Sequence, residues 1–142
     1  MIDTGLKSKV ATVTGANNPY GIGAAIARAL ASQGSNIFIH YYSHEVDFPI
    51  DKPNSNTQDK PGIAFFFKQQ TKNADEVINS IQEIGSRVYS MEGNLSNPSL
   101  VIDLFNNAEN KFGPVDILVI NAAEHIADTF LPGIILKNEE PL

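Results

Sequence analysis

Gly15, Gly21 and Gly23 lie where a short β-branched run gives way to an amphipathic one, in VATVTGANNPYGIGAAIARALASQ over Val10 to Gln33. Glycines at a strand-to-helix turn let the backbone curl tightly and approach a diphosphate, while the N–H groups of the helix start attract negative charge. Gly15, Asn17, Tyr20, Gly21, Ile22 and Gly23 are therefore candidate contacts to a nucleotide. The alternative is a glycine-rich turn with no ligand, which any α/β protein can carry. A Walker-type phosphate loop is excluded, because no Lys-Ser or Lys-Thr follows the last glycine. Other chemistries find little support. Without cysteine there is no disulfide, thiolate metal site or Cys nucleophile. His40, His44 and His125 show no metal-ligand spacing, and Asp75, Glu76, Asp103 and Glu109 read as solvated helix faces or helix-start charges.

The bulk properties fit this reading. The 142 residues make one domain with an adequate core, and 42% hydrophobic with 18% charged residues describe an ordinary globular chain. A net charge of −6 argues against a nucleic-acid or membrane surface, which needs clustered Lys and Arg. The N-terminus has no basic region followed by an apolar stretch, and no window approaches the length of a membrane span. The expected address is the cytoplasm.

The elements that must position the turn follow from periodicity. The first strand is Val10 to Val13, and the helix after it places Ile22, Ile26 and Leu30 on one face. Gly34 precedes a second strand, Asn36 to His40. A second helix, Asn73 to Ile84, has an apolar stripe of Val77, Ile78, Ile81 and Ile84, and Asn73 with Glu76 reads as a capping box. A strand from Arg87 to Glu92 precedes a third helix with Val101, Leu104, Phe105, Ala108 and Phe112 on its stripe. Asn97-Pro98 suits the start of that helix and Gly113-Pro114 its end. Ile117 to Ile120 is a near-continuous apolar run, as expected of a parallel strand buried on both faces. The alternation β-α-β-α-β-α-β implies an α/β fold, a Rossmann-like parallel sheet flanked by helices, with four core strands in the order 3-2-1-4. Residues 43–72 form a long insertion between the second strand and the second helix. Within it Ile63 to Phe67 is expected to be a short strand or a hydrophobic anchor, and the whole a surface excursion or a flap beside the cofactor.

Gly15 to Gly23 resembles the TGxxxGxG turn of the short-chain dehydrogenase/reductase family, with two extra residues inserted. Three further stretches carry the resemblance. Gly93-Asn94-Leu95-Ser96 falls where the family shows Asp followed by Val or Leu, which contacts the adenine ring; Asn94 stands in for the Asp. Phe112 to Val119 is similar to the FGxxDxLV run, and Ile120-Asn121-Ala122-Ala123 to the NNAG motif that supports the fourth strand and lines the cofactor. The resemblance implies an NAD(P)-dependent oxidoreductase, with Asn94, Leu95, Asn121, Ala122 and Ala123 joining the glycine turn as cofactor-binding residues. Cofactor choice turns on the end of the second strand, where NAD-binding sites place an acidic residue. Here the position is near Tyr41, with no carboxylate, so NADP is favoured over NAD; Lys68 or Lys72 of the insertion are candidates for the 2′-phosphate.

The family's catalytic Tyr and Lys are spaced YxxxK. None of Tyr20, Tyr41, Tyr42 and Tyr89 has Lys four positions later, so no catalytic residue is assigned. Residues 132–142 form an atypical tail. The chain thus reads as a single partial Rossmann domain over 1–142, the cofactor-binding half of a reductase, inactive alone. An incomplete sheet of this kind is expected to be marginally stable or to self-associate through its exposed edge. A non-catalytic nucleotide-binding or regulatory module is the alternative. A Rossmann methyltransferase is disfavoured, since its glycine loop follows an acidic residue and Thr14 stands here.

Overall fold

In the computed structural model, residues 2–43 and 61–123 are described. The elements run β1 (Val10–Thr14), α1 (Ile22–Ser32), β2 (Asn36–Tyr41), α2 (Ile63–Gln70), α3 (Asp75–Glu83), β3 (Val88–Glu92), α4 (Pro98–Phe112) and β4 (Ile117–Val119). The four strands are parallel and ordered β3-β2-β1-β4, as the alternation predicts. Side chains alternate across the sheet, so its two faces feed two separate cores. Ala11, Val13, Ile37, Ile39 and Val88 face α1 and α3, whose Ala24, Ala27, Ala31, Val77 and Ile81 close over them. On the other face Phe38 meets Leu104 and Ala108 of α4. Cover on both sides explains why every residue of β1 and all but the ends of β2 are buried, with polar Thr12, Thr14 and His40 among them.

Several elements differ from their sequence reading. In α1 the buried face is Gly23, Ala24, Ala27 and Ala31, whereas Ile22 is 73% exposed. Small residues let the helix axis come close to the sheet just behind the glycine turn; Ile22 is left outside, and Leu30 packs on the core only partly buried. Ile63 to Phe67 belongs to a helix, α2, because the run continues into Lys68-Gln69-Gln70 and its phenylalanines point different ways: Phe65 and Phe67 are half-buried, Phe66 exposed. The capping box at α3 does not form. Asn73 accepts the N–H of Asp75 at 3.2 Å, and Glu76 pairs with Lys72 at 2.5 Å instead of reaching back. At α4 the expected start is found, with the Asn97 oxygen accepting from the Ser99 N–H and Pro98 in the first turn. The rest of the insertion (44–60), the tail (132–142), His44 and His125 lie outside the described residues.

The fourth strand departs most. Its expected double burial is not found: Leu118 is 44% exposed and Ile120, just past the strand, 81%. Among the described residues β4 pairs with β1 alone, so its far edge and part of one face lack cover from them. What fixes its register is a carboxylate. Asp116 accepts from the Val10 N–H at 2.8 Å and from Lys9 Nζ at 2.9 Å, while its own N–H donates to the Val10 carbonyl at 2.9 Å.

The Lys9 hydrogen bond, then that of Val10, holds the Asp116 carboxyl below its ordinary value. The folded chain therefore binds this proton more weakly than the unfolded one. The resulting stabilisation is present above the unfolded carboxylate pKa and is lost as pH falls through the folded value. Asp116→Asn is expected to lower the urea midpoint at neutral pH, with the gap to the parent closing below about pH 4. A gap that stays constant with pH would rule out the charge as its source.

Candidate functional site

The glycine turn is built for close approach. Gly15 has φ +65°, and a Cβ there would sit 2.8 Å from the Ala122 Cα. A Cβ on Gly23 would lie 2.5 Å from Asn121 Nδ2 and 2.9 Å from the Gly15 carbonyl oxygen. Gly21 caps α1 with no side-chain hydrogen bond, so no side chain of the cap residue satisfies the first N–H groups of the helix. Such a helix start can accept an anion. Between the glycines, Asn18 Oδ1 accepts from the Tyr20 N–H and the Asn18 carbonyl from the Gly21 N–H, both at 2.9 Å, which folds the longer turn back on itself.

A knot of hydrogen bonds joins this turn to the end of β4. Thr14 Oγ1 accepts from the N–H groups of Asn121 and Ala122, each at 3.0 Å, and donates to the Val119 carbonyl at 3.3 Å. Asn121 Nδ2 donates to the carbonyls of Thr14 at 3.0 Å and Gly15 at 2.8 Å. The Asn121 amide thus braces the turn, with Ala122 half-buried against Gly15 and Ala123 exposed. Thr14 was not among the sequence candidates. Its signal is a hydroxyl directly before the first glycine.

The insertion docks on the same turn. Buried Asn17 donates through Nδ2 to the carbonyls of Gln70 and Lys72, both at 2.7 Å. Tyr20 sets its ring 5.6 Å from that of Phe65, and Arg28 donates to the Pro19 carbonyl at 2.9 Å. Asn17 and Tyr20, read from sequence as ligand contacts, hold α2 against the turn. Ile22 stands exposed at the start of α1.

At the other end of the cleft, β2 meets the turn after β3. The Ala16 N–H donates to the His40 carbonyl at 3.2 Å, and the Gly93 N–H to the Tyr41 carbonyl at 2.9 Å. Asn94 Oδ1 accepts from the Ser96 N–H at 2.9 Å, and Leu95 packs on the Phe38 and Leu104 cluster. Burial first, then the charges of Glu92 and Asp75, raises the Tyr41 phenol above its ordinary range. Glu92 pairs in register with Tyr41 and accepts from the N–H and hydroxyl of Ser43. A carboxylate therefore does stand beside position 41, supplied by β3, and no reading of β2 alone finds it.

Two substitutions test this construction. Gly15→Ala forces a side chain into left-handed backbone, at a cost of roughly 1–3 kcal/mol before the Ala122 contact is relieved. Asn17→Ala leaves the Gln70 and Lys72 carbonyls without their donor and is expected to cost about 1–3 kcal/mol. Urea denaturation reads both, and a midpoint unchanged in either variant would contradict the corresponding contact.

The sequence model of the short chain dehydrogenase family matches residues 55–132. A hydroxynaphthalene reductase-like protein, Arp2, from Metarhizium acridum is 30% identical over 88% of this chain and 36% of its own length. An L-rhamnose 1-dehydrogenase (NADP(+)) from Thermoplasma acidophilum is 33% identical over 82% of this chain and 35% of its own. The solved short-chain dehydrogenase/reductase from Serratia marcescens superposes with a TM-score of 0.59 at 25% identity, covering 84% of this chain and 37% of that one. The chain spans about a third of the length of the curated relatives it matches. With the family profile covering more than half of the chain, it belongs to the short-chain dehydrogenase/reductase family.

Proposed function

We propose that these residues form the dinucleotide-binding part of an NAD(P)-dependent oxidoreductase that moves a hydride between nicotinamide and a carbonyl or alcohol. The observation that supports it is the start of α1 at Gly21, which has no side-chain cap, held in place where Gly15 and Gly23 pack tightly on Ala122 and the Asn121 amide. A bound dinucleotide would supply the hydride donor or acceptor. The residues that would hold it are the N–H groups at the Gly21–Gly23 helix start for the diphosphate, Tyr41 and its surroundings for the ribose, and Asn94 for the adenine. Asn94 Oδ1 already accepts one N–H and keeps a second lone pair for the adenine amino group. Thr14, Asn17 and Asn121 keep the cradle in shape.

This chain carries no assigned proton donor, since none of its four tyrosines is followed by Lys at the fourth position. Binding without turnover is the expected behaviour of these 142 residues. A non-catalytic nucleotide-binding module would behave alike. The acidic net charge speaks against a nucleic-acid partner, and among the described residues no helix is long and apolar enough to cross a membrane. A cysteine-free composition agrees with the cytoplasmic address. Exposed Leu118 and Ile120 beside the outer edge of β4 support self-association as a further property.

For cofactor choice, Tyr41 in place of an acidic residue on β2 supports NADP, as does the cofactor named for the Thermoplasma relative. A second reading, NAD, is favoured by one observation: Glu92 beside Tyr41 and Ser43 offers a carboxylate to ribose hydroxyls and repels a 2′-phosphate. Calorimetric titration with NADPH and NADH separates the two. On the first reading NADPH binds at least about tenfold tighter, roughly 1.4 kcal/mol. On the second NADH binds tighter, and Glu92→Gln erases the difference. Absence of saturable binding by either, in a folded sample, would overturn the proposal. Oxidation of NADPH by the isolated chain with an aldehyde or ketone would overturn the expectation of inactivity.

A further inference from the structure

His40 ends the run of buried residues in β2, 2% exposed, on the sheet face that carries Phe38. Its two polar ends reach opposite sides of the cleft. The backbone carbonyl accepts from the Ala16 N–H in the glycine turn at 3.2 Å. The ring Nε2 lies 2.8 Å from the Gly93 carbonyl, an acceptor only, so Nε2 carries the proton and donates. Gly93 immediately precedes Asn94. The other ring nitrogen, Nδ1, is buried and has no hydrogen-bond partner among the described residues.

We propose that His40 is a positioning residue that sets the width of the adenosine cleft, holding the Gly93–Asn94 turn at a fixed distance from the glycine turn, and that it does so only as neutral imidazole. The proposal rests on the dinucleotide reading of the cleft.

The chemistry of the ring makes the brace sensitive to acid. A second proton would place an N–H on Nδ1 in a buried site with no acceptor, and a buried unpaired donor is costly even before its charge is counted. Among the described residues no charged group acts on the ring to offset this, and Lys111 of α4 stands over the Tyr89 ring, 4.7 Å from its centre. On its side of the sheet β1 brings Thr12 and Thr14, β3 brings Met91 and Tyr89, and α4 brings Leu104 and Ala108. Tyr89 is engaged with Phe112, ring to ring at 5.4 Å, and Asp103, next to Leu104, is exposed. The hydroxyl of Thr12 is itself buried without a partner among the described residues, so it does not bond Nδ1. Burial accordingly lowers the His40 pKa below 6.5, against the smaller opposing effect of the Gly93 bond. The brace is thus intact above the unfolded value and is lost as pH falls through the folded one.

ADP-ribose is the probe, because its diphosphate does not titrate in the window where His40 does. Its affinity for the chain is measured by calorimetry at about pH 7.5 and about pH 5.5, with far-UV circular dichroism monitoring the fold. His40→Gln can present an amide N–H to the Gly93 carbonyl without titrating, and His40→Leu cannot. We expect the parent chain to lose affinity between the two pH values, by less than the roughly tenfold that an unshifted imidazole would give because the His40 pKa is lowered, and His40→Gln to match the parent at the higher pH and stay flat. A folded His40→Leu is expected to bind weakly at both. Parallel losses in the parent and His40→Gln would overturn the proposal, as would a folded His40→Leu binding like the parent. If His40→Leu does not fold, the parent and His40→Gln profiles decide. If a folded parent binds ADP-ribose, NADH and NADPH at neither pH, the dinucleotide reading itself fails, a result distinct from binding that ignores His40.

Discussion

The rest of the structure depends on the closure of the Gly15 turn against the end of β4. Two strands that are adjacent in the sheet but far apart in the chain must end at the same height, within a hydrogen bond of each other. Thr14 and Asn121 achieve this by satisfying one another's neighbouring backbone groups. Since every buried N–H and carbonyl at a strand end needs a partner, the arrangement fixes the loop path as well as the strand positions. At the opposite end of the same two strands, Asp116 and Lys9 pin the register from below. Between these two clamps β1 and β4 have no freedom to slide, and the cradle inherits their rigidity.

Order and direction of the strands were legible in the chain because they follow from alternation and from strands buried on two faces, and both leave a strong pattern in residue type. The α1 face was not. Ile22, Ile26 and Leu30 fit the usual expectation that large apolar residues face inward, yet the buried residues are Gly23, Ala24, Ala27 and Ala31, and Leu30 packs on the core only partly buried. Near a phosphate-type turn the spacing between helix and sheet is set by backbone contact, and volume then counts against burial. Ile117 to Ile120 misled for the reverse reason: apolar character reports the environment a strand is suited to, and β4 among the described residues has a neighbour on one side only.

The candidate site was legible as a set of positions and much less so as a set of roles. Gly15 and Gly23 are where the spacing puts them, but Asn17 and Asn121 turn out to hold backbone carbonyls. An Asn in a motif reads the same from sequence whether its amide faces a ligand or a loop. The contacts of Glu92 and His40 escape the sequence because they come from the neighbour across a strand pair, and that pairing is a property of the sheet.

The contact between Asn17 and the end of α2 ties two length changes together. The two-residue extension of the glycine turn and the long excursion after β2 each bury a group that the other satisfies: an Asn amide on one side, two carbonyls on the other. Loss of the excursion alone would strand the amide, and shortening of the turn alone would strand the carbonyls. A chimera that borrows the turn from a relative must therefore borrow the helix with it, or leave one side of this contact without its partner.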